Sequence, residues 1–272
     1  MAQYLPVWKP QNIMIALSLM ISFAYQLPSD LIGVSPANSR QASINTDFVV
    51  NDLSDPGNPD CLPSSCSLRA AITAANLDGT AGNHTILFDL TYPATISLAD
   101  PSPLPDILGT LTVEGPGAAN LTIDAGGVYR IFSIASGATL TLSGVTLQNG
   151  YEITRGGGIL NDHGTLSFSD SVLTNSLAGG GDGGGLYNDG GTTVVSKVSF
   201  LDNNAFHDGA VTNMGDMTIT DSLFDGNRSR LGGAIDNSGS LAIMNSTFSN
   251  NIGQPVRAGA IENTGILVVS DR

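Results

Sequence analysis

The sequence predicts an all-β solenoid, and three observations carry the prediction. A small-residue patch, an aliphatic residue, any residue and an asparagine recur five times, ending at Asn161, Asn188, Asn213, Asn237 and Asn263. By subtraction the steps are 27, 25, 24 and 26 residues, a period too short for one unit to bury its apolar face alone, so copies must stack. Gly supplies 33 of the 272 residues, aromatic residues are scarce, and Val, Ile, Leu, Thr and Ser fill short alternating runs. That composition makes many strands joined by tight turns, with no long helix.

The chain opens with one basic residue, Lys9, and an apolar run from Ile13 to Tyr25, IMIALSLMISFAY. The run fits the core of a secretory signal over residues 1–25, with Ser22 and Ala24 as a small-residue cleavage site, and is shorter than the roughly 20 residues a membrane-spanning helix needs. A buried element of the fold or an uncleaved anchor are the competing readings of the same run. Beyond it nothing is long and apolar enough to span a bilayer, so no stable span is expected in the mature chain. Residues 26–43 lack periodicity and read as a linker. The formal charge is −14, with Lys9 and Lys197 the only lysines, which disfavours phosphate backbones and anionic headgroups. Nucleic acid is not an expected partner.

Residues 44–85 read as an N-terminal cap. INTDFVVNDL at 44–53 is a candidate first strand, and Cys61 and Cys66, downstream of an export signal, are expected to form a disulfide that pins a small loop. In SLRAAITAAN, Ser67 to Asn76, the residues Leu68, Ile72 and Ala75 share one helical face, and Asn76 and Gly79 are stop signals. A short amphipathic helix there would plug the apolar end of the first coil, as terminal units of solenoids require.

Residues 86–272 read as the repeats. TLSFSDSVL at 165–173, MTITDSLF at 217–224 and LAIMNSTF at 241–248 alternate apolar with small polar residues, the pattern of half-buried strands. Coils stacking at about 4.8 Å place matching residues in files. An amide both donates and accepts, so the Asn161 to Asn263 file and the shorter Asn203, Asn227, Asn251 file are assigned a structural role as ladders.

CSLRAAITAAN at 66–76, TILFDL, TISLADPSPLPDILGTLTVEGPGAANLTIDAGG and the GGGILN repeats together resemble the bacterial CSLREA-domain proteins. Gly232 to Ile235, with Phe200 to Asn203, Phe224 to Asn227 and Phe248 to Asn251, are similar to the GGAI and FxxN repeats of chlamydial-type polymorphic outer membrane proteins. The two resemblances span roughly residues 44–272. They imply a right-handed parallel β-helix of the pectin-lyase-like superfold, of seven or eight coils, on an exported surface protein. Where the family name has Glu this chain has Ala70; with Ser67 as N-cap, that is the N3 position, so half of a capping box is lost, at about 1 kcal/mol or less.

Carboxylates are the chemical groups present in number. Asp162 and Asp189 each follow a ladder asparagine and Asp236 and Glu262 each precede one, so each pair should lie one coil apart; Asp182 and Asp208 complete the set. Asp162 and Asp189 are candidate ligands for Ca²⁺, the one cofactor considered. Asp236 and Glu262, with Arg257, are candidate catalytic residues of a polysaccharide lyase or hydrolase. A solvated acidic turn surface is the plainer account of all six. Arg155, Arg228, Arg230 and Arg257 stand beside small-residue patches, and Asn161-Asp162-His163 echoes a lyase dipeptide only by coincidence of the ladder.

GGGDGGG at 179–185 lacks the Lys-Ser/Thr of a phosphate loop, and the nine-residue period of a Ca²⁺-binding β-roll does not fit. Asn83, Asn120, Asn227 and Asn245 lie in glycosylation sequons. By alignment the sequence stops halfway through a coil, from which a truncated frame or end-to-end self-association is expected. The function these observations favour is a non-catalytic, adhesin-like surface protein, secreted or held at the bacterial outer surface, touching polysaccharide or cell-surface glycan. The alternative is a lyase or hydrolase, and the side of the stack on which Arg155 or Arg257 meets the carboxylates distinguishes the two.

Overall fold

The computed structural model describes residues 46–57, 60–77, 82–99, 101–230, 232–254 and 259–271, all in the unit Ser43–Arg272. The apolar run at 13–25, the segment 26–43, Gly79 and Arg257 lie outside the described residues. The chain is an all-β parallel solenoid of about seven turns with one short helix. Sheet 1 has fourteen strands, its main path running from Thr46–Val50 through Thr110–Glu114, Thr139–Ser143, Thr165–Thr174, Thr192–Leu201 and Asp216–Thr220 to Ile266–Ser270. Sheet 2 stacks Phe132–Ile134, Ile159–Asp162, Leu186–Asp189, Val211–Asn213, Ile235–Asn237 and Ile261–Asn263. Sheet 3 stacks five two-residue strands, Tyr151–Glu152, Leu177–Ala178, Asn204–Ala205, Arg228–Ser229 and Ile252–Gly253.

Alternation decides which side chains enter the core. In Thr165–Thr174 the residues Leu166, Phe168 and Leu173 are fully buried while Thr165 and Asp170 face solvent. The continuous strands expected at 217–224 and 241–248 are instead broken, by Asp221 at φ 50° and Asn245 at φ 48°. Asp170 and Lys197 take the same left-handed conformation within their strands. Each coil therefore turns a corner there, which Asx residues tolerate better than most. A serine file follows the corner: the Val198 N–H donates to Ser222 Oγ and the Ser222 N–H to Ser246 Oγ, each at 3.2 Å.

The asparagine files lie inside the remaining corners. Asn161 Nδ2 donates to Asn188 Oδ1 at 2.9 Å, Asn188 to Asn213 at 2.8 Å, Asn213 to Asn237 at 2.7 Å and Asn237 to Asn263 at 2.6 Å. The first four are buried; Asn263 is exposed. Beside this file runs a glycine file, where a Cβ at Gly215, Gly239 or Gly265 would overlap the carbonyl oxygen of Gly191, Gly215 or Gly239. In the second file the Asn203 N–H donates to Asn227 Oδ1 and the Asn227 N–H to Asn251 Oδ1, both at 3.0 Å. Phe200, Phe224 and Phe248 stack alongside with centroids 4.6 and 4.8 Å apart, the coil spacing itself.

The helix spans Leu68–Leu77, and Ser67 Oγ accepts from the Ala70 N–H at 3.2 Å, the capping half expected without a Glu at N3. Leu68, Ala71, Ile72 and Ala75 are buried at the end of the stack, next to Thr46–Val50. Asn76 lies within the helix and ties it to the first coils by donating to the Asp106 carbonyl at 2.7 Å and accepting from the Leu108 N–H at 3.1 Å. Cys61 and Cys66 form a disulfide. Arg69 has a role that no local pattern announces: it grips Asp55 through Nε at 2.6 Å and Nη2 at 2.8 Å and donates to the Pro103 carbonyl at 2.6 Å. The pair is buried, so removing one partner should cost about 3–5 kcal/mol.

Candidate functional site

Two of the lateral grooves formed by the described residues differ in their polar chemistry. The first lies over sheet 2, where register aligns Leu160, Tyr187, Thr212, Asp236 and Glu262 in one outward file. Arg155 bridges to Asp182 one coil on. The cavity of about 480 Å³ is lined by Arg155, Asp182, Tyr187, Asp208, Thr212, Met214, Asp236, Ser238, Glu262 and Thr264. As the repeat positions predict, Asp162 lies beside Asp189 and Asp236 beside Glu262, each pair on adjacent coils.

Arg155 and the neighbouring Asp162 and Asp189 are paired over this sheet. Arg155 Nη1 lies 2.7 Å from Asp189 Oδ2, and its guanidinium sits 5.1 Å over the Tyr187 ring. Asp162 Oδ1 meets His163 Nδ1 at 2.7 Å, and that hydrogen bond holds the imidazole above its ordinary value. Burial pushes the Tyr187 hydroxyl up to about 12, against the opposing pull of Arg155; its O–H donates to Met214 Sδ. Asp182 Oδ1 stands 3.7 Å from His207 Nδ1.

Asp162 and Asp189 thus share a register but face different cationic partners, and together they offer only part of the six to eight oxygens that Ca²⁺ takes. Among the described residues no group of three or more His, Cys, Asp or Glu is arranged to hold a metal ion. Arg155 and Asp236 share the groove but lie three coils apart, roughly 14 Å at the coil spacing, too far to flank one glycosidic bond. Asp236 and Glu262, one coil apart at about 4.8 Å, have the spacing of a carboxylate pair.

The second groove lies over sheet 3, with a volume of about 440 Å³. Leu177, Asn204, Arg228 and Ile252 form one outward file. Phe206, Arg230 and Gln254 flank it two residues on, where alternation returns to the same face. Phe206 is 45% exposed, and Arg230 lies 5.1 Å over its ring. Neither Arg228 nor Arg230 makes an ion pair among the described residues, whereas Arg69, Arg130 and Arg155 pair with Asp55, Glu152 and Asp189. Between the two arginines Ser229 is turned inward, 5% exposed, and its Oγ has no hydrogen-bond partner.

Sequence reasoning missed this groove. It placed Arg228 and Arg230 beside small-residue patches, but Arg228 belongs to a sheet 3 strand and the i, i+2 spacing of the pair puts both on one face. The sequons separate on burial: Asn83 and Asn120 are exposed, while Asn227 is fully buried in its file and out of reach of a transferase. No helix among the described residues is long and apolar enough to cross a membrane. Comparison with family models, with curated proteins and with solved structures finds no match, so the resemblances read from the sequence gain no support there, and what stands is a parallel β-solenoid with two chemically distinct lateral grooves.

Proposed function

We propose that this chain is an exported, non-catalytic surface protein that contacts glycans through the lateral face of its solenoid. One observation carries the reading: sheet 3 lines up exposed apolar, amide and guanidinium side chains, with Leu177, Asn204, Phe206, Arg228, Arg230 and Gln254 around a single open groove. Such a face packs apolar groups against the C–H faces of sugar rings and hydrogen-bonds their hydroxyls, as sites of few polar groups on an apolar lining do. The signal-like run at residues 13–25, the composition and the family resemblance support a position outside the cell for such a face. A rigid stack presents it without the ordering cost that a flexible loop would add on binding.

A second reading, a polysaccharide lyase or glycoside hydrolase, has its own observation. Arg155 faces the same groove as Asp182, Asp208, Asp236 and Glu262, with Ca²⁺ as the cation that such an enzyme would recruit. Against it stand the Arg155–Asp189 pair and the three-coil gap to Asp236, which engage the arginine elsewhere. Incubating the full chain with polygalacturonate, with and without Ca²⁺, and following the absorbance of unsaturated uronate products tests both. The non-catalytic reading expects no rise. A Ca²⁺-dependent rise abolished by Asp236→Ala overturns it.

A further inference from the structure

We infer that the sheet 3 groove selects acidic glycans, with Arg228 and Arg230 taking the carboxylate of a uronate unit; this deepens the glycan reading and rests on it. The chain has 24 Asp and Glu against 10 Lys and Arg, so a cation left unneutralised is costly to its neighbours' choice of partner and easily quenched by a nearby carboxylate. Of the five arginines among the described residues, three are quenched in that way. The two that are not stand two residues apart, Arg228 on a sheet 3 strand and Arg230 just past its end, and both line the same groove.

Their surroundings favour a planar anion. Phe206 holds the Arg230 guanidinium against its ring, so the fork of N–H donors loses less freedom when it engages a carboxylate in bidentate fashion. Asn204 stands one coil from Arg228 in the same file, and Gln254 lines the groove beyond it. Their amides both donate and accept, which suits the hydroxyls of a sugar ring. The exposed part of Phe206 gives the ring's C–H face an apolar surface. Over most of the molecule the net charge of −14 repels a polyanion, so engagement is confined to this patch and weakens with salt.

The test is calorimetric titration of the full chain with oligogalacturonate, with its methyl ester, which removes the charge and keeps the sugar, and with a sulfated glycan of similar length. The uronate is expected to bind at least about tenfold more tightly than the ester and the sulfated chain, and Arg228→Ala or Arg230→Ala to weaken it about tenfold. Arg230→Lys should recover only part of the loss, because an ammonium lacks the fork. Circular dichroism of each variant checks that the solenoid is retained. Equal binding of the ester, or of the sulfated chain, or unchanged binding by both variants overturns the uronate assignment while the glycan reading stands. Binding to none of the three overturns the assignment, and failure on a wider panel of neutral glycans then removes the glycan reading as well.

Discussion

The two lateral grooves are built on the same coils, yet the arginine of one is held by a carboxylate and the arginines of the other are not. Over sheet 2, Arg155 is held by Asp189 and Tyr187, Tyr187 by Met214, and Asp162 by His163. Over sheet 3, neither Arg228 nor Arg230 makes an ion pair among the described residues, and Arg230 lies over the Phe206 ring. The backbone positions are equivalent in kind, since both faces are outward files of a parallel stack, so the contrast lies wholly in which side chains the files carry. A solenoid fixes where a residue points and leaves its identity open on every outward position. For that reason the face rich in charge is the poorer candidate for a ligand, and the face with two isolated cations is the better one.

The comparison is sharpened first by showing that the scaffold beneath both grooves is equally firm. Asn188 underlies the sheet 2 corner, where its amide donates to the Gly191 carbonyl and to Asn213 and accepts from Asn161. Asn188→Ala strands buried partners on two coils and should cost about 3 kcal/mol in chemical denaturation. Asn227→Ala, beside sheet 3, removes bonds to the Phe200 carbonyl and Asn251 and should cost about as much. Asn263→Ala, at an exposed member of the file, should cost under about 1 kcal/mol. A large gap between the first two would mean that the faces differ in their interiors as well.

Tyr187 supplies the next test. Its hydroxyl titrates near 12 in the folded protein, against the ordinary value of 10. The folded state therefore keeps a proton that the unfolded state loses, so the contribution is complete below about pH 10 and is lost as pH rises toward 12. Spectrophotometric titration should show a late tyrosine that is lost in Tyr187→Phe; a titration curve unchanged by that substitution at high pH would mean that the sheet 2 groove is open. Smaller effects follow. Arg155→Ala should cost about 1 kcal/mol or less, as its partly exposed pair predicts, while Arg228→Ala and Arg230→Ala should stay within about 0.5 kcal/mol by the same chemical denaturation. Ser229→Ala matches the Ala178 and Ala205 positions of its inward file and removes a buried hydroxyl without a partner, so it should raise stability by up to about 1 kcal/mol.

Much of the stack was legible because its register is written in side chains that only a stack can satisfy. The steps from Asn161 to Asn263 match the observed pairings residue for residue. The helix was legible from the face formed by Leu68, Ile72 and Ala75 and from Ser67 before it. The corners were not, because the alternation slips by one residue at Asp170, from Leu166 and Phe168 to Ser171 and Leu173, and a small polar serine at the first inward position hides the slip. Sheet 3 was hidden as well: strands of two residues cover a single period of the alternation that reveals strands, so no repeat of it can be read. Arg69 was passed over because a basic residue on a helix facing the cap loop reads as solvated, and only the fold brings Asp55 to it. The carboxylate pairs were placed by register alone, but register is silent on which cation each carboxylate meets.

One feature of the sheets has a mechanical meaning. Their hydrogen bonds run from coil to coil, along the axis of the stack, so tension applied along that axis loads one rung at a time. Each released coil pays out 24–27 residues, as the pairings Asn203 to Asn227 and Asn161 to Asn188 show, and 24 residues reach roughly 80 Å when extended. Under pull such a chain would lengthen in discrete steps, each rung giving way before the next is loaded. A protein tethered at a wetted surface and gripping a polymer sideways would then behave as a shock absorber, dissipating force through its end coils while the remaining rungs keep their grip.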